Sequence, residues 1–199
     1  MIHRRVLDRR TVSMLEDAQG AALLEFAISL PLLAVFVVGI YDFSGAFNQK
    51  QKIEQAAQEG AIVAGAQPTS DIQLSNGNPD SLQPVVNAIF NSLAGSGVLP
   101  NGTTCVPPGT VSHDTKDPNL TWTYTISGCS SAYATDNLVI TINRGWVSAS
   151  GSPRSVGTTV TVAYPYHWQF NSVVQLLFSG AGYAAVTNLT ESATVQNQM

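Results

Sequence analysis

The sequence has few charged side chains, few histidines and only two cysteines. Charged residues make up 11% of the 199 residues, against about 25% in a typical soluble domain. Only nine of them are Lys or Arg, and no basic patch is present to neutralise phosphates, which argues against nucleic acid as a partner. The GxSxG, HExxH and CxxC patterns of common enzymes are absent as well. The sequence therefore predicts a non-enzymatic protein with no catalytic residue, metal site or cofactor.

The basic residues are concentrated at the N-terminus. Arg4, Arg5, Arg9 and Arg10 are four of the nine Lys and Arg residues in the chain. Basic residues beside a membrane span stay on the cytoplasmic side. The pattern predicts that residues 1–20 form a cytoplasmic targeting segment and that the chain after the span is translocated.

The longest apolar run, Ala21–Tyr41, contains a single ionisable side chain other than its terminal tyrosine, Glu25. A helix of that length covers about 30 Å, the thickness of the hydrocarbon core of a bilayer. A carboxylate inside such a span is costly, and it therefore indicates a function. Pro31 removes a backbone donor and predicts a kink in the helix. The run predicts a single-pass transmembrane anchor.

Helix-favouring sequence continues from residue 42 to residue 66 without proline. Small residues recur there every four positions, at Ala56, Gly60 and Ala64. Such a stripe allows another backbone to approach closely. Two interpretations remain open: the stripe packs against the sheet of this chain, or it packs against neighbouring subunits.

The rest of the chain changes from helical to alternating periodicity. A helix over residues 81–94, capped by Asp80 or Ser81, is predicted from one apolar face, and residues 98–118 are predicted to be a loop. Three amphipathic strands follow, in which apolar side chains alternate with threonine-rich positions, and they predict an antiparallel sheet with one covered face. A helix near 170–178 and a last strand near 184–195 complete the prediction. These segments predict an α+β domain.

The two cysteines, Cys105 and Cys129, both lie in the part that is predicted to be translocated. An oxidising compartment favours a disulfide between them over two free thiols.

Several other residues have plain structural interpretations. His167 lies on the polar face of a predicted strand, and we expect it to be exposed. The oxygen-rich loop with Asp114, Asp117 and Asn119 lacks the spacing of an EF-hand, and a solvated turn is favoured over a calcium site. Of the tryptophans, Trp122 and Trp168 are expected in the core, and Trp146 is left open between packing and an adhesive or sugar-binding platform.

The junction at Gly20, followed by Glu25 and Phe26 at the start of a long apolar helix, resembles the processing site of prepilins. The wider set GAALLEFAISLPLL, GIYDFSGAF and QAAQEGA is similar to the TadE-like family, the minor pseudopilins of tight-adherence (Flp-type) pili. The resemblance covers about residues 20–66. It implies cleavage between Gly20 and Ala21 by a prepilin peptidase, and an assembly role for Glu25 and Phe26.

The resemblance implies a pilin-like architecture, in which a long N-terminal helix packs on a small antiparallel sheet. The expected parts are a leader (1–20), a transmembrane helix (21–41), a helical extension (42–66) and an extracytoplasmic domain (67–199). The chain would lie in the inner membrane with its C-terminal domain in the periplasm, and would reach the cell surface within a pilus. Its partners would be the peptidase, the major pilin and other pseudopilins. The alternative is a membrane-anchored binding or adhesion domain that never enters a filament; a tethered hydrolase ranks below both.

Overall fold

The computed structural model describes residues 9–72, 78–99, 104–114, 120–130, 133, 135–147, 156–169 and 186–198, with the backbone alone for 9–19. Within these residues the regular elements are two α-helices, one short 3-10 turn and five strands. In chain order they are α1 (Arg9–Ala66), the 3-10 turn (Asp80–Leu82), α2 (Gln83–Gly95), β1 (Thr110–His113), β2 (Thr121–Ile126), β3 (Leu138–Val147), β4 (Val156–His167) and β5 (Val186–Gln196). These elements confirm the predicted α+β class.

The chain divides into two compact units. The first contains α1 up to Phe43, and the second contains α1 from Ser44 onwards together with α2 and the five strands. The predicted helix near 170–178 lies outside the described residues.

The five strands form one antiparallel sheet in the order β1-β2-β3-β4-β5, so that each strand pairs with its neighbours along the chain. Side chains alternate between its two faces, as the period of two predicts. The inner face is fully or almost fully buried, and its members in β2, β3 and β4 are Trp122, Tyr124, Ile126, Leu138, Ile140, Ile142, Val160, Val162 and Tyr164. The three amphipathic strands predicted from the sequence are thereby confirmed.

Two helical segments cover the inner face. From α2 and the turn before it come Leu82, Val85, Val86, Ile89 and Leu93, all fully buried. From α1 come Ile53 and a set of buried small residues. This single apolar core places the last six turns of α1 in the same unit as the sheet.

The disulfide between Cys105 and Cys129 is present, with the two Cα atoms 4.6 Å apart. It links the segment before β1 to the segment after β2. The carbonyl of Cys129 also accepts a hydrogen bond of 2.9 Å from the hydroxyl of Tyr164. The crosslinked segment is therefore also joined to β4.

Two sequence predictions are corrected. Residues 98–118 are not all loop, because Thr110–His113 form β1; this four-residue edge strand contains one aliphatic side chain, Val111, which is too weak a pattern to recognise. Neither Asp80 nor Ser81 caps α2 with its side chain. Helix α1 begins at Arg9, so it includes part of the segment 1–20, for which no secondary structure was predicted.

Candidate functional site: helix α1

The first part of α1 exposes a long run of mostly apolar side chains. Ten large ones between residues 23 and 40 are 50–70% exposed: Leu23, Leu24, Phe26, Ile28, Leu30, Leu32, Leu33, Phe36, Val37 and Ile40. An 18-residue window of this helix has a mean hydropathy of 2.4. Leaving so much apolar surface in water is unfavourable by about 25 cal/mol per Å². The helix is long and apolar enough to cross a membrane, which is consistent with a single-pass anchor.

The residues of the prepilin-like junction all lie on this exposed helix. Gly20 and Ala21 are exposed, and no heavy atom lies within 4 Å of a Cβ built on Gly20. Glu25 follows Ala21 by four residues, about one helical turn, and is itself exposed. Phe26 is 64% exposed. The peptide bond between Gly20 and Ala21 is thus part of a continuous helix that leaves its surface open to another protein.

Pro31 lies inside α1, in the middle of the exposed run. Its ring removes one hydrogen bond from the helix at that point. The bend expected there remains a prediction.

The small-residue stripe lies in the second part of α1, where it is buried by the chain itself. Ala56 and Ala64 have no exposed surface, and a Cβ added to Gly60 would lie 2.6 Å from Cδ1 of Ile89 in α2 and 3.5 Å from Val160 in β4. Helix α1 therefore approaches both α2 and the sheet as closely as the glycine permits. Of the two interpretations that the sequence left open, this contact supports packing of the stripe against the chain's own domain.

A buried arginine holds the C-terminal end of α1. Nη1 of Arg144 donates to the carbonyl of Ala64 at 2.9 Å, and Nη2 donates to the carbonyls of Gln67 and Pro68 at 3.0 and 3.3 Å. The last carbonyls of a helix have no partner within the helix and carry a partial negative charge. Arg144, only 2% exposed, therefore donates to a carbonyl in the last turn of α1 and to two carbonyls just after it, and its charge complements theirs. Burial lowers the pKa of Arg144, and the nearby carboxylate of Asp71 partly offsets that effect.

Asp71 connects this helix end to the start of the second helix. Its Oδ2 accepts a hydrogen bond of 2.8 Å from the backbone amide of Ser81, in the 3-10 turn. Partial burial acts to raise the pKa of Asp71, but the hydrogen bonds and the charge of Arg144 outweigh it and leave the pKa below its ordinary value. Asp71 and Arg144 together fix both ends of the connection between α1 and α2.

Further contacts join the beginning of this packed part of α1 to strands β4 and β5. Nζ of Lys50 lies 3.0 Å from Oε1 of Glu191 in β5, and Nε2 of Gln49 donates to the carbonyl of Pro165 in β4 at 3.4 Å. The ion pair is partly exposed and adds little stability by itself. Its value lies in fixing the helix along β5.

The predicted exposed histidine proves to be part of a small polar cluster. Nε2 of His167 lies 2.8 Å from a carboxylate oxygen of the buried Asp136, and its ring stacks on Tyr133 with centroids 3.6 Å apart. The expectation for His167 was therefore wrong. Its position on the polar face was predicted correctly, but the partners come from the loop before β3, which periodicity cannot place.

The tryptophans divide between core and surface. Trp122 is fully buried, as predicted. Trp168 is only partly buried, and its Nε1 donates a hydrogen bond of 2.8 Å to Oγ1 of Thr187. The assignment of Trp168 to the core was therefore wrong. Trp146 is 37% exposed.

Of the oxygen-rich loop, Asp117 and Asn119 lie outside the described residues, and no metal-binding group of three His, Cys, Asp or Glu occurs within the described part of the chain.

Arg144 is the important residue that sequence reasoning missed. Its signal was present, because Leu138, Ile140 and Ile142 occupy the inner face of β3 and the next inner position is Arg144. A charge at an inner position must find buried acceptors. The sequence could not show that those acceptors are carbonyls at the end of α1 and just after it.

The comparison with family models matches residues 20–61 to a family described as TadE-like protein. The match confirms the resemblance seen in the sequence and covers the exposed run together with most of the packed part of α1. It ends before α2 and the sheet. No curated protein and no solved structure matches the chain.

Proposed function

Because residues 20–61 match the TadE-like family, we propose that the chain is a minor pseudopilin of a tight-adherence pilus or a related secretion system. The exposed run Ala21–Tyr41 anchors it in the inner membrane, with residues 1–20 on the cytoplasmic side and the domain of residues 67–199 in the periplasm. Its role in assembly or initiation of the filament is structural and not catalytic. Within a pilus it reaches the cell surface.

The observation that supports this proposal most is the difference between the surroundings of the two parts of α1. Its first part presents a bare apolar surface with one carboxylate, and its second part is fixed to a folded domain by Gly60, Arg144 and Lys50. A subunit that packs side by side with others in a membrane and then in a filament needs both features. A detachable signal sequence needs neither the glycine contact nor the buried arginine.

Cleavage after Gly20 would give Glu25 a partner. The new α-amine of Ala21 would be largely protonated near neutral pH, and Glu25 lies one turn away on the same helix. An unpaired carboxylate in low dielectric is unfavourable, and pairing with an amine repays part of that cost. In a filament the amine of an adjacent subunit supplies this partner and sets the axial register between subunits. The peptidase, the major pilin and companion pseudopilins are the partners that this scheme requires.

The test is the intact mass of the membrane-extracted protein from cells with and without a prepilin peptidase. We expect the mass of residues 1–20 to be lost only when the peptidase is present. Gly20→Val should block the cut, and Gly39→Val is a matched control, because a Cβ at either glycine meets nothing within 4 Å. If the wild-type protein keeps Met1 and still supports pilus assembly, the proposal is wrong, and the alternative of an anchored binding domain outside the filament takes its place.

A further inference from the structure

A cleft lies at the C-terminal end of α1, within the second compact unit. Its volume is about 530 Å³, and its wall includes Pro68, Ile72, Leu120, Arg144, Val156 and Asn197. We call it the Arg144 cleft. Cavities that hold small molecules in proteins typically measure about 300–1,000 Å³. The Arg144 cleft is therefore large enough for a small organic molecule.

The guanidinium of Arg144 has one donor left over at this cleft. Its Nη1 and Nη2 donate to carbonyls at the end of α1 and just after it, whereas Nε is buried and has no hydrogen-bond partner among the described residues. Leaving a buried donor of a charged group without an acceptor is unfavourable. Because Arg144 is itself part of the wall, a bound molecule that brings an acceptor oxygen would supply the missing partner.

The backbone is irregular at this cleft and regular in the rest of the described sheet. The pairing of β3 with β4 shifts in register between Asn143 and Trp146, at Arg144, whereas the other three pairs of strands keep one register. Such bulges redirect side chains and are frequent beside functional sites.

A second irregularity lies in the wall of the cleft. Leu120 has a φ of 55°, a conformation that a leucine rarely adopts. Its carbonyl accepts a hydrogen bond of 3.0 Å from the backbone amide of Arg144. Strained residues of this kind cluster at sites that hold ligands. The leftover donor, the bulge and the strained leucine therefore meet at one cleft.

The wall indicates which chemistry the bound molecule has. Among the lining residues that the structure describes, Arg144 is the only charged one, and Ile72, Leu120 and Val156 are aliphatic. The carboxylate of Asp71 is not among them, and its Oδ2 is bonded to the amide of Ser81. A single cation calls for a single negative charge, and the oxygens of a carboxylate match a guanidinium.

We propose that the Arg144 cleft binds a small monocarboxylic acid with an apolar body. The carboxylate accepts a hydrogen bond from Nε of Arg144, and the apolar body packs against Ile72, Leu120 and Val156. Phosphate esters fit less well, because they carry close to two negative charges. This inference does not depend on the proposed role in a pilus, because an anchored domain outside a filament would have the same cleft.

The test is equilibrium dialysis of the full-length protein, in detergent micelles, against phenylacetate, with protein-free micelles as the blank. Phenylacetamide has the same apolar body without the charge, and acetate has the charge without the apolar body. We expect about one phenylacetate per chain with a Kd below about 1 mM. Both analogues should bind at least about tenfold more weakly, because each lacks one of the two kinds of contact.

A matched pair of variants locates the binding without touching Arg144. Val156 and Val186 are the first residues of β4 and β5 and are 40% and 44% exposed, but only Val156 belongs to the described wall. Val156→Glu places a carboxylate beside the cleft and should abolish binding of phenylacetate by repulsion. Val186→Glu adds the same charge elsewhere and should bind like wild type. Arg144→Met should also lose binding, and the pair of valine variants decides the matter should Arg144→Met not fold.

Three results would overturn the proposal. The first is no saturable binding of phenylacetate by folded wild-type protein above the blank. The second is equal binding of phenylacetate and phenylacetamide, which would show that the charge of Arg144 is not used. The third is equal binding by Val156→Glu and Val186→Glu, which would place the bound molecule outside the Arg144 cleft.

Discussion

Replacing Gly60 with alanine tests how closely α1 packs against its own domain. The added methyl group would lie 2.6 Å from Cδ1 of Ile89, and closer still to its Cγ1. Ile89 is completely buried and Val160 lies behind the same site. The methyl group therefore fits only if Ile89 changes its rotamer or α2 moves away from α1.

Two opposing effects determine how Gly60→Ala changes the free energy of unfolding. Glycine to alanine within a helix is favourable by about 1 kcal/mol when the site is open. Overpacking a core by one methyl group costs about 1–3 kcal/mol. We expect a net loss of up to about 2 kcal/mol, which corresponds to a decrease of up to roughly 8 °C in Tm for a chain of this size.

Gly95→Ala is the matched control, because Gly95 is also helical and a Cβ there meets nothing within 4 Å. It should leave stability unchanged or raise it by up to about 1 kcal/mol. Opposite changes in stability at Gly60 and Gly95 would distinguish the effect of the local contact from the effect of helix propensity.

The assay is urea unfolding of the full-length protein in detergent, followed by tryptophan fluorescence, because Trp122 is fully buried in the core. In an Ile89→Ala background the methyl group has room, and the cost of Gly60→Ala should fall by at least about 1 kcal/mol. If Gly60→Ala is as stabilising as Gly95→Ala, the close contact does not exist in solution. If it is stabilising and also blocks incorporation into pili, the stripe serves contacts between subunits instead.

Four further predictions concern single features. Arg144→Met should lower the free energy of unfolding by about 2 kcal/mol, because three carbonyls lose a charged donor in a buried site. Denaturant unfolding measures this loss, and an unchanged midpoint would exclude a stabilising role for the bonds of Arg144 to the end of α1. Replacing Cys105 and Cys129 together with serine should cost about 3 kcal/mol by the same assay, and a loss below 1 kcal/mol would contradict the role of the crosslink. The pKa of Asp71 is lowered in the folded protein, so the Asp71 carboxylate stabilises the fold above its ordinary pKa of 3.8, and this stabilisation is lost as the pH falls through the folded pKa. Asp71→Asn should therefore reduce the loss of stability between pH 6 and pH 3. Identical pH profiles of stability for the variant and the wild type would disprove this prediction. Glu25→Gln and Glu25→Ala should reach the membrane at normal levels but fail to enter pili, and full incorporation of both would refute the pairing with an amine.

The strands could be predicted from the sequence because their alternation is a local property. Trp122, Ile140 and Val162 each belong to a run with period two, and each is fully buried. Helix α2 was equally clear from its single apolar face. In both cases the side chains within one segment contain the information, and no distant partner is needed.

The candidate site was only partly predictable, for the same reason. The apolar run and Glu25 can be read from a single segment. The contact of Gly60 with Ile89, 29 positions along the chain, and the bonds of Arg144 to Ala64, 80 positions away, join separate segments. Periodicity shows that Gly60 is small and that Arg144 faces inward, but only the tertiary fold shows what each one meets.

The attachments of α1 define the path by which a force along the helix reaches the domain. The C-terminal end of α1 is held by Arg144 of β3 and by the backbone amide of Gln198, which donates to the carbonyl of Gly65 at 2.9 Å. Further up the helix, Lys50 is paired with Glu191 of β5. We therefore expect a pull on α1 to load β3 and β5, which both pair with β4, whereas the disulfide joins the segment before β1 to the segment after β2. The buried arginine thus joins the end of the helix to β3, and the disulfide crosslinks the segments on either side of β1 and β2.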